Sequence, residues 1–166
     1  MMCRYGGLDI EDETFDVFDF VNKTREEKRV YSPTEQLPAL HVVDGEKVTV
    51  ISQSGACMRF LATTIGGGLY PTDPLERARA DIVFETAQEM FVLNPICNML
   101  DGDTLAARER EFWDLRPTAF PRRMEMAERM LEETSAFFVG KDVTYADFQA
   151  RSHHFWAQAC ARATLL

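Results

Sequence analysis

The sequence predicts an α/β domain followed by an all-α domain. Residues 36–62 have the pattern of a strand, a tight turn, a second strand and a helix. Glycines and prolines then cluster over residues 64–74, which is typical of a connection between domains. Beyond this cluster, apolar residues recur at helical spacing. We therefore expect a first domain over 1–68, a linker over 69–74 and a helical domain over 75–166.

The composition excludes several classes of protein. The chain has 166 residues, a net charge of −9 and 46% apolar residues, so it can bury a core but is a poor partner for nucleic acid or an anionic membrane. It has no apolar stretch of roughly 20 residues and no signal-peptide pattern. Its four cysteines lack CxxC spacing. We interpret them as reduced thiols and predict a cytoplasmic protein.

The α/β prediction depends on local signals between residues 42 and 54. Valines and an isoleucine supply the β-branched residues of two strands, and Asp44-Gly45 supplies the turn between them. Ser54 follows the second strand and is a favoured residue at a helix N-cap. Because the first N–H groups of a helix have no internal partner, this helix start is a candidate site for a carboxylate.

The flanking segments give weaker signals. Residues 1–5 resemble the end of a helix, with Gly6-Gly7 as a left-handed cap. Residues 8–15 indicate the entry to a strand, and the charge-rich residues 16–35 are most simply a solvated helix or loop. Two amphipathic helices are predicted near 75–93 and 118–138.

Four motifs together resemble a known family. Gln-Leu-Pro (36–38) precedes the first strand, and Gln-Ser (53–54) precedes Arg-Phe-Leu-Ala (59–62). Leu-Glu-Arg-Ala-Arg-Ala-Asp (75–81) and Val-Gly-Lys-Asp-Val-Thr-Tyr-Ala-Asp-Phe (139–148) follow in order. In this combination the chain resembles the glutathione S-transferases, in particular the sigma-like class.

The resemblance implies a partial thioredoxin-like N-terminal domain followed by the all-helical C-terminal domain of these transferases. Relative to that pattern, we expect the first strand and the C-terminal helices to be lacking. The end of that strand carries the Tyr, Ser or Cys that activates the glutathione thiol in the family. Tyr5 is a possible substitute that we expect to be packed, and we expect Cys57 to be buried. The catalytic residue is therefore unassigned.

The resemblance also implies how glutathione is held. A cis peptide between Leu37 and Pro38 would turn the backbone of Leu37 toward the cysteinyl part of the ligand. Gln53 and Ser54 would hold the γ-glutamyl carboxylate, and Gln36 completes the set. From the residues alone, an ordinary trans proline at a strand start is preferred for Pro38, and a simple helix cap is preferred for Ser54. The resemblance reverses both preferences.

Further ligand contacts follow from the same resemblance. Arg29 or Lys28 lies nearest to the family's basic position for the glycine carboxylate. Asp81 would reach the glutathione amino group of the partner subunit in a homodimer, and Phe84 and Gln88 would line the acceptor pocket. The alternatives are a solvated helix surface for the two cations and a solvated carboxylate for Asp81.

Other polar motifs carry less functional information. Thr144 and Asp147 have the spacing of a capping box, a folding element in which the Thr hydroxyl accepts from the Asp N–H and the carboxylate reaches back. His153 and His154 are adjacent, so on a helix they point about 100° apart and do not form a metal pair. We predict no metal.

The sequence therefore predicts a glutathione S-transferase-like protein. It would bind glutathione as co-substrate and, where the site is complete, conjugate its thiol to a small apolar electrophile in detoxification. The alternative is a non-catalytic, transferase-like module for binding or assembly. No nucleic acid or membrane partner is expected.

Overall fold

The computed structural model describes residues 1–93, 110, 120–134 and 136–151. It divides into two compact units, Met1–Gly67 and Gly68–Leu166. Among the helices of these described ranges, none is long and apolar enough to cross a membrane.

The first unit combines short helices with a β-hairpin. Its elements are α1 (Met2–Tyr5), α2 (Val17–Val21), α3 (Arg25–Tyr31), β1 (Ala39–Asp44), β2 (Lys47–Ser52) and α4 (Ser54–Ile65). The predicted succession of strand, turn, strand and helix is confirmed. The strand entry predicted over 8–15 is wrong, since residues 8–16 have neither helical nor strand structure.

The hairpin has a defined register and a tight loop. β1 and β2 are antiparallel, with Ala39 opposite Ser52 and Asp44 opposite Lys47. Gly45 has a φ of 58°, a left-handed conformation that glycine adopts without steric cost and that a two-residue hairpin loop requires. At the end of the hairpin opposite the loop, β1 therefore begins at Ala39, directly opposite Ser52, where β2 ends.

The N-terminal helix ends in a glycine cap. The N–H of Leu8 donates to the Cys3 carbonyl over 2.9 Å, and that of Gly7 donates to the Arg4 carbonyl over 3.3 Å. This is the Schellman pattern, and Gly7 supplies the positive φ of 67°. Gly6 has a φ of −82°, so only one glycine of the predicted pair is left-handed. A Cβ on Gly6 would lie 2.5 Å from Ile65, which shows how closely α1 approaches the end of α4.

Helices α2 and α3 are short and held by aromatic packing and caps. The rings of Phe15, Phe20 and Tyr31 meet edge to face, with centroids 4.8 to 6.3 Å apart. Thr24 and Glu27 form a full capping box at the start of α3. These contacts fix helices that are too short to be stable by propensity alone.

The second unit is helical in its described part. Its elements are α5 (Pro74–Leu93), α6 (Phe120–Thr134) and α7, which the structure describes over residues 145–151. The helix predicted over 75–93 is confirmed. The helix predicted over 118–138 is shorter than expected, because residues 136–138 lie in a bend.

Tyr145 lies at the centre of this unit and is fully buried. Its ring stacks on Phe84 at 5.3 Å and meets Tyr70 edge to face at 5.4 Å. Its N–H donates to the carbonyl of Leu69 over 2.8 Å. Leu69 is only 1% exposed, so the segment predicted as a linker contributes a core residue to the second unit.

The start of α7 is held by the carboxylate of Asp147. One oxygen accepts from the N–H (2.7 Å) and the hydroxyl (2.8 Å) of Thr144, and the other accepts from the Phe138 N–H at 2.9 Å. The predicted backward reach of the carboxylate is confirmed. The predicted role of the hydroxyl is wrong, because it donates to the carboxylate while the Asp147 N–H bonds the Thr144 carbonyl.

Candidate functional site

At the open end of the hairpin, the segment before β1 and the start of α4 lie next to each other. Because Ala39 pairs with Ser52, the residues just before β1 and just after β2 emerge at the same end. The side-chain amide of Gln53 donates to the Gln36 amide oxygen over 3.0 Å. This hydrogen bond joins segments that are 17 residues apart in the sequence.

Leu37 and Pro38 lie between Gln36 and the first strand. The peptide bond between them is cis, so the conformation implied by the family resemblance is confirmed. Leu37 is 41% exposed. Its backbone N–H and carbonyl make no hydrogen bond to any other residue that the structure describes. Both groups are thus open to pairing with an extended ligand backbone.

The start of α4 presents further donors at the same end. Its first backbone hydrogen bond runs from the Cys57 N–H to the Gln53 carbonyl over 3.0 Å. The N–H groups of Ser54, Gly55 and Ala56 therefore have no partner within the helix. Such a helix terminus carries partial positive charge and favours a carboxylate.

Ser54 occupies a different helix position from the one predicted. Gln53 is the N-cap residue, with a φ of 75° and no side-chain capping bond, and Ser54 is the first helical residue. The prediction of Ser54 as an N-cap is wrong because the backbone at Gln53 already turns the chain into the helix. Within the described part of the chain, no hydrogen bond engages the Ser54 hydroxyl.

The two residues considered for thiol chemistry differ in exposure. Cys57 is buried, its Sγ donates to the Ile51 carbonyl over 3.2 Å, and burial raises the pKa of its thiol. The expectation that Cys57 is buried is confirmed, and a raised pKa disfavours the nucleophilic thiolate. Tyr5 is 62% exposed, so the expectation that it is packed is wrong. The buried residues of α1 are Met2 and Cys3.

Both cations predicted near the glycine carboxylate have partners in their own unit. Lys28 Nζ donates to the Val21 carbonyl over 2.7 Å and lies 6.0 Å from the centre of the Phe20 ring. Arg29 Nε donates to a Glu35 carboxylate oxygen over 2.8 Å. Lys28 therefore caps the C-terminal end of α2, and Arg29 forms an ion pair with Glu35.

Glu35 accepts from a second arginine that the sequence analysis did not single out. Arg25 donates through Nε at 2.9 Å and through Nη2 at 3.2 Å. The bonds from Arg25, and then those from Arg29, lower the pKa of the Glu35 carboxyl. Glu35 has a φ of 61°, although it is not a glycine. Sequence patterns carry no signal for such a conformation at a glutamate.

Two other polar residues anchor the segment before β1. Ser32 is fully buried, and its hydroxyl bonds the hydroxyls of Ser52 at 3.0 Å and Thr34 at 3.1 Å. The Nε2 atom of His41 lies 2.7 Å from the Tyr31 carbonyl oxygen. These contacts fasten the connection from α3 onto the hairpin, and no sequence motif indicated them.

The site residues predicted in the second unit are Asp81, Phe84 and Gln88, and each contacts other residues of that unit. Asp81 accepts from the hydroxyl of Tyr145 at 2.5 Å and from that of Tyr70 at 3.4 Å. Phe84 is 1% exposed, and the Gln88 amide oxygen accepts from the Gln149 amide at 2.9 Å. The roles of Asp81 toward a partner subunit and of Phe84 and Gln88 in an acceptor pocket stay predictions.

The adjacent pair His153-His154 lies outside the described residues. In the described ranges, no group of three or more His, Cys, Asp or Glu side chains is placed to hold a metal ion.

Solved structures similar to this one are glutathione S-transferases. The enzyme of Ascaris lumbricoides aligns over 90% of this chain and 68% of its own, with 26% identity and a TM-score of 0.66. The chain has the glutathione S-transferase fold. The transferase of Caenorhabditis elegans aligns over 96% and 74%, with 23% identity and a TM-score of 0.72. That of Pseudomonas fluorescens aligns over 95% and 76%, with 22% identity and a TM-score of 0.74.

The predicted resemblance and fold class are thereby confirmed. The fold combines a thioredoxin-like domain with the helical domain of the glutathione S-transferases. No protein-family model and no curated protein matches the sequence. Assignment to the sigma-like class stays a prediction.

Proposed function

We propose that this chain binds glutathione at the open end of the hairpin in its first unit. The observation that carries the proposal is the hydrogen bond from Gln53 to Gln36, which joins the Gln-Leu-Pro segment to the start of α4. Its surroundings have the chemistry for a peptide with a free carboxylate: N–H groups that have no partner within α4, a hydroxyl and an open backbone edge.

Each part of the tripeptide has a matching group. The γ-glutamyl carboxylate would sit at the N-terminus of α4, accepting from the N–H groups of Ser54 and Gly55 and from the Ser54 hydroxyl. Gln53 keeps its amide oxygen for the ligand's amino group, since its amide nitrogen is used by Gln36. The backbone of Leu37 would pair with the cysteinyl residue.

The proposal extends to conjugation with an apolar electrophile in a cytoplasmic homodimer, as in a glutathione S-transferase. Conjugation needs the thiolate, and a free thiol with a pKa of about 8.5 is mostly protonated at neutral pH. We assign no described residue to thiol activation. Binding is therefore the first claim to test, and conjugation the second. A chain that binds without conjugating would be the non-catalytic module.

Calorimetric titration of glutathione into the 166-residue chain tests the proposal. We expect a dissociation constant between micromolar and millimolar. Ser54→Ala should weaken binding about tenfold or more, because a hydrogen bond to a charged group contributes about 1.5–3 kcal/mol. Thr63→Ala is the matched control, since it removes an exposed hydroxyl from the same helix, one that donates to the Arg59 carbonyl within that helix.

The outcomes separate cleanly. Loss of affinity in Ser54→Ala with unchanged affinity in Thr63→Ala supports the site. No heat signal from a folded sample would refute glutathione binding. Equal affinity of the natural chain, Ser54→Ala and Thr63→Ala would show that glutathione binds elsewhere on the chain.

A further inference from the structure

Glu35 combines two unusual features directly before the segment used by the proposed site. Its φ of 61° is a backbone conformation that side chains other than glycine disfavour. Its carboxylate accepts from Arg25 (2.9 and 3.2 Å) and Arg29 (2.8 Å). The Glu35 side chain is 21% exposed, against 72% for Arg25 and 52% for Arg29. The carboxylate therefore lies folded back against α3.

The helix that carries both arginines is itself well anchored. Its first turn has the capping box of Thr24 and Glu27, and Lys28 ties it to the end of α2. Tyr31 packs among the aromatic rings of the unit at its other end. Arg25 and Arg29 thus project from a fixed support.

The turn after α3 is held from both sides. On the backbone side, the Glu35 N–H donates to the Ser32 carbonyl over 2.9 Å, and Ser32 is bonded to Ser52. On the side-chain side, the two arginines hold the carboxylate. The next residue, Gln36, accepts through its side-chain amide oxygen from the Gln53 amide at 3.0 Å.

We propose that Arg25, Glu35 and Arg29 form a positioning cluster that presents residues 36–38 to glutathione. In this arrangement the arginines act through Glu35 and do not contact the ligand. The inference rests on the proposed function and deepens it, since it gives Arg29 a role other than the predicted contact with the glycine carboxylate.

Substitutions of Glu35 separate backbone positioning from charge. Glu35→Ala loses the hydrogen bonds to both arginines, and alanine also disfavours a positive φ. Glutathione affinity should therefore fall about tenfold. Glu35→Gly also loses these hydrogen bonds, but glycine adopts a positive φ readily. This variant should therefore keep most of the glutathione affinity that Glu35→Ala loses. Glu46→Ala, which removes an exposed carboxylate at the hairpin loop, is the control. Equal loss in the alanine and glycine variants would overturn the proposal.

The arginines are tested in two backgrounds. Arg25→Gln and Arg29→Gln should each weaken binding in the natural chain and have little further effect in the E35G background. Arg4→Gln is the control for loss of an exposed arginine. If Arg29→Gln weakens binding equally in both backgrounds, then Arg29 contacts the ligand carboxylate directly and the proposal is wrong.

A readout without ligand keeps this inference separate from the proposed function. In nuclear magnetic resonance spectra, Arg25→Gln should shift the side-chain amide signals of Gln36 and Gln53 and the backbone amide signal of Leu37. Failure of glutathione to bind, with these shifts present, would refute the proposed function and retain the cluster as a device that positions residues 36–38. Unshifted signals would refute the positioning cluster itself.

Discussion

At the scale of single residues, two tyrosines and one carboxylate form a hydrogen-bonded network in the second unit. Tyr145 donates to Asp81 over 2.5 Å, and Tyr70 donates to the same carboxylate over 3.4 Å. Tyr145 is fully buried, and the substitution Tyr145→Phe removes its hydrogen bond to Asp81 while keeping the ring in place.

We expect Tyr145→Phe to lower the free energy of unfolding by about 1.5–3 kcal/mol, the range for a hydrogen bond to a charged group. Tyr70→Phe should cost less, because its bond is longer. Urea denaturation of the two variants measures the difference. A larger loss in Tyr70→Phe would contradict this description of the network.

The pH dependence of the first unit should report the arginine clamp on Glu35. Arginine hydrogen bonds lower the pKa of this carboxyl in the folded protein. The clamp is therefore fully stabilising above the ordinary carboxyl pKa of about 4.3, and its contribution is lost as the pH falls through the lower, folded value. The natural chain should be more stable than Glu35→Gln at pH 7, and the two should converge in strong acid. A difference that persists unchanged in acid would exclude this origin.

At the scale of elements, the start of α7 depends on the Asp147 carboxylate. Asp147→Ala removes three hydrogen bonds, two to Thr144 and one to the Phe138 N–H, so we expect a loss of about 1–2 kcal/mol. Asp142→Ala, a nearby exposed aspartate, is the control. Denaturation by urea, followed by circular dichroism, gives both values. Equal stability of the two variants would show that the cap does not stabilise the helix.

The sequence was sufficient for elements whose signals are local. β-Branched residues and Asp44-Gly45 located the hairpin, and helical spacing located α5. It was insufficient where distant groups meet. Ser32 bonds Ser52 across 20 residues, and the Glu35 carboxylate bonds arginines 6 and 10 residues away. The prediction of a strand entry over 8–15 was wrong. A strand needs a neighbouring strand to pair with, and the composition of a segment does not reveal whether one is present.

At the scale of the molecule, the residues that carry the proposed glutathione site lie in the first unit. The parts of this site are the residues before β1 and the first residues of α4, which the hairpin register brings to the same end. The motif could be found from the sequence through its resemblance to a family. Two features needed the structure: the Leu37 backbone has no hydrogen bond to another described residue, and Ser54 is the first helical residue of α4.

Glutathione should therefore stabilise the first unit selectively. Ligand that binds only the folded state protects it from opening, by about 2.7 kcal/mol at 100 times the dissociation constant. Amide hydrogen exchange with and without glutathione should show slower exchange around the hairpin and α4. Protection confined to α5 and α7 would place the ligand in the second unit.

Chemical-shift mapping of glutathione on the labelled chain tests the central claim most directly. We predict that the backbone amides of Leu37, Ser54 and Gly55 shift together with the side-chain amide of Gln53, and that the Ser54→Ala variant loses these shifts. Saturable shifts elsewhere in the chain, with these four signals unmoved, would contradict the account.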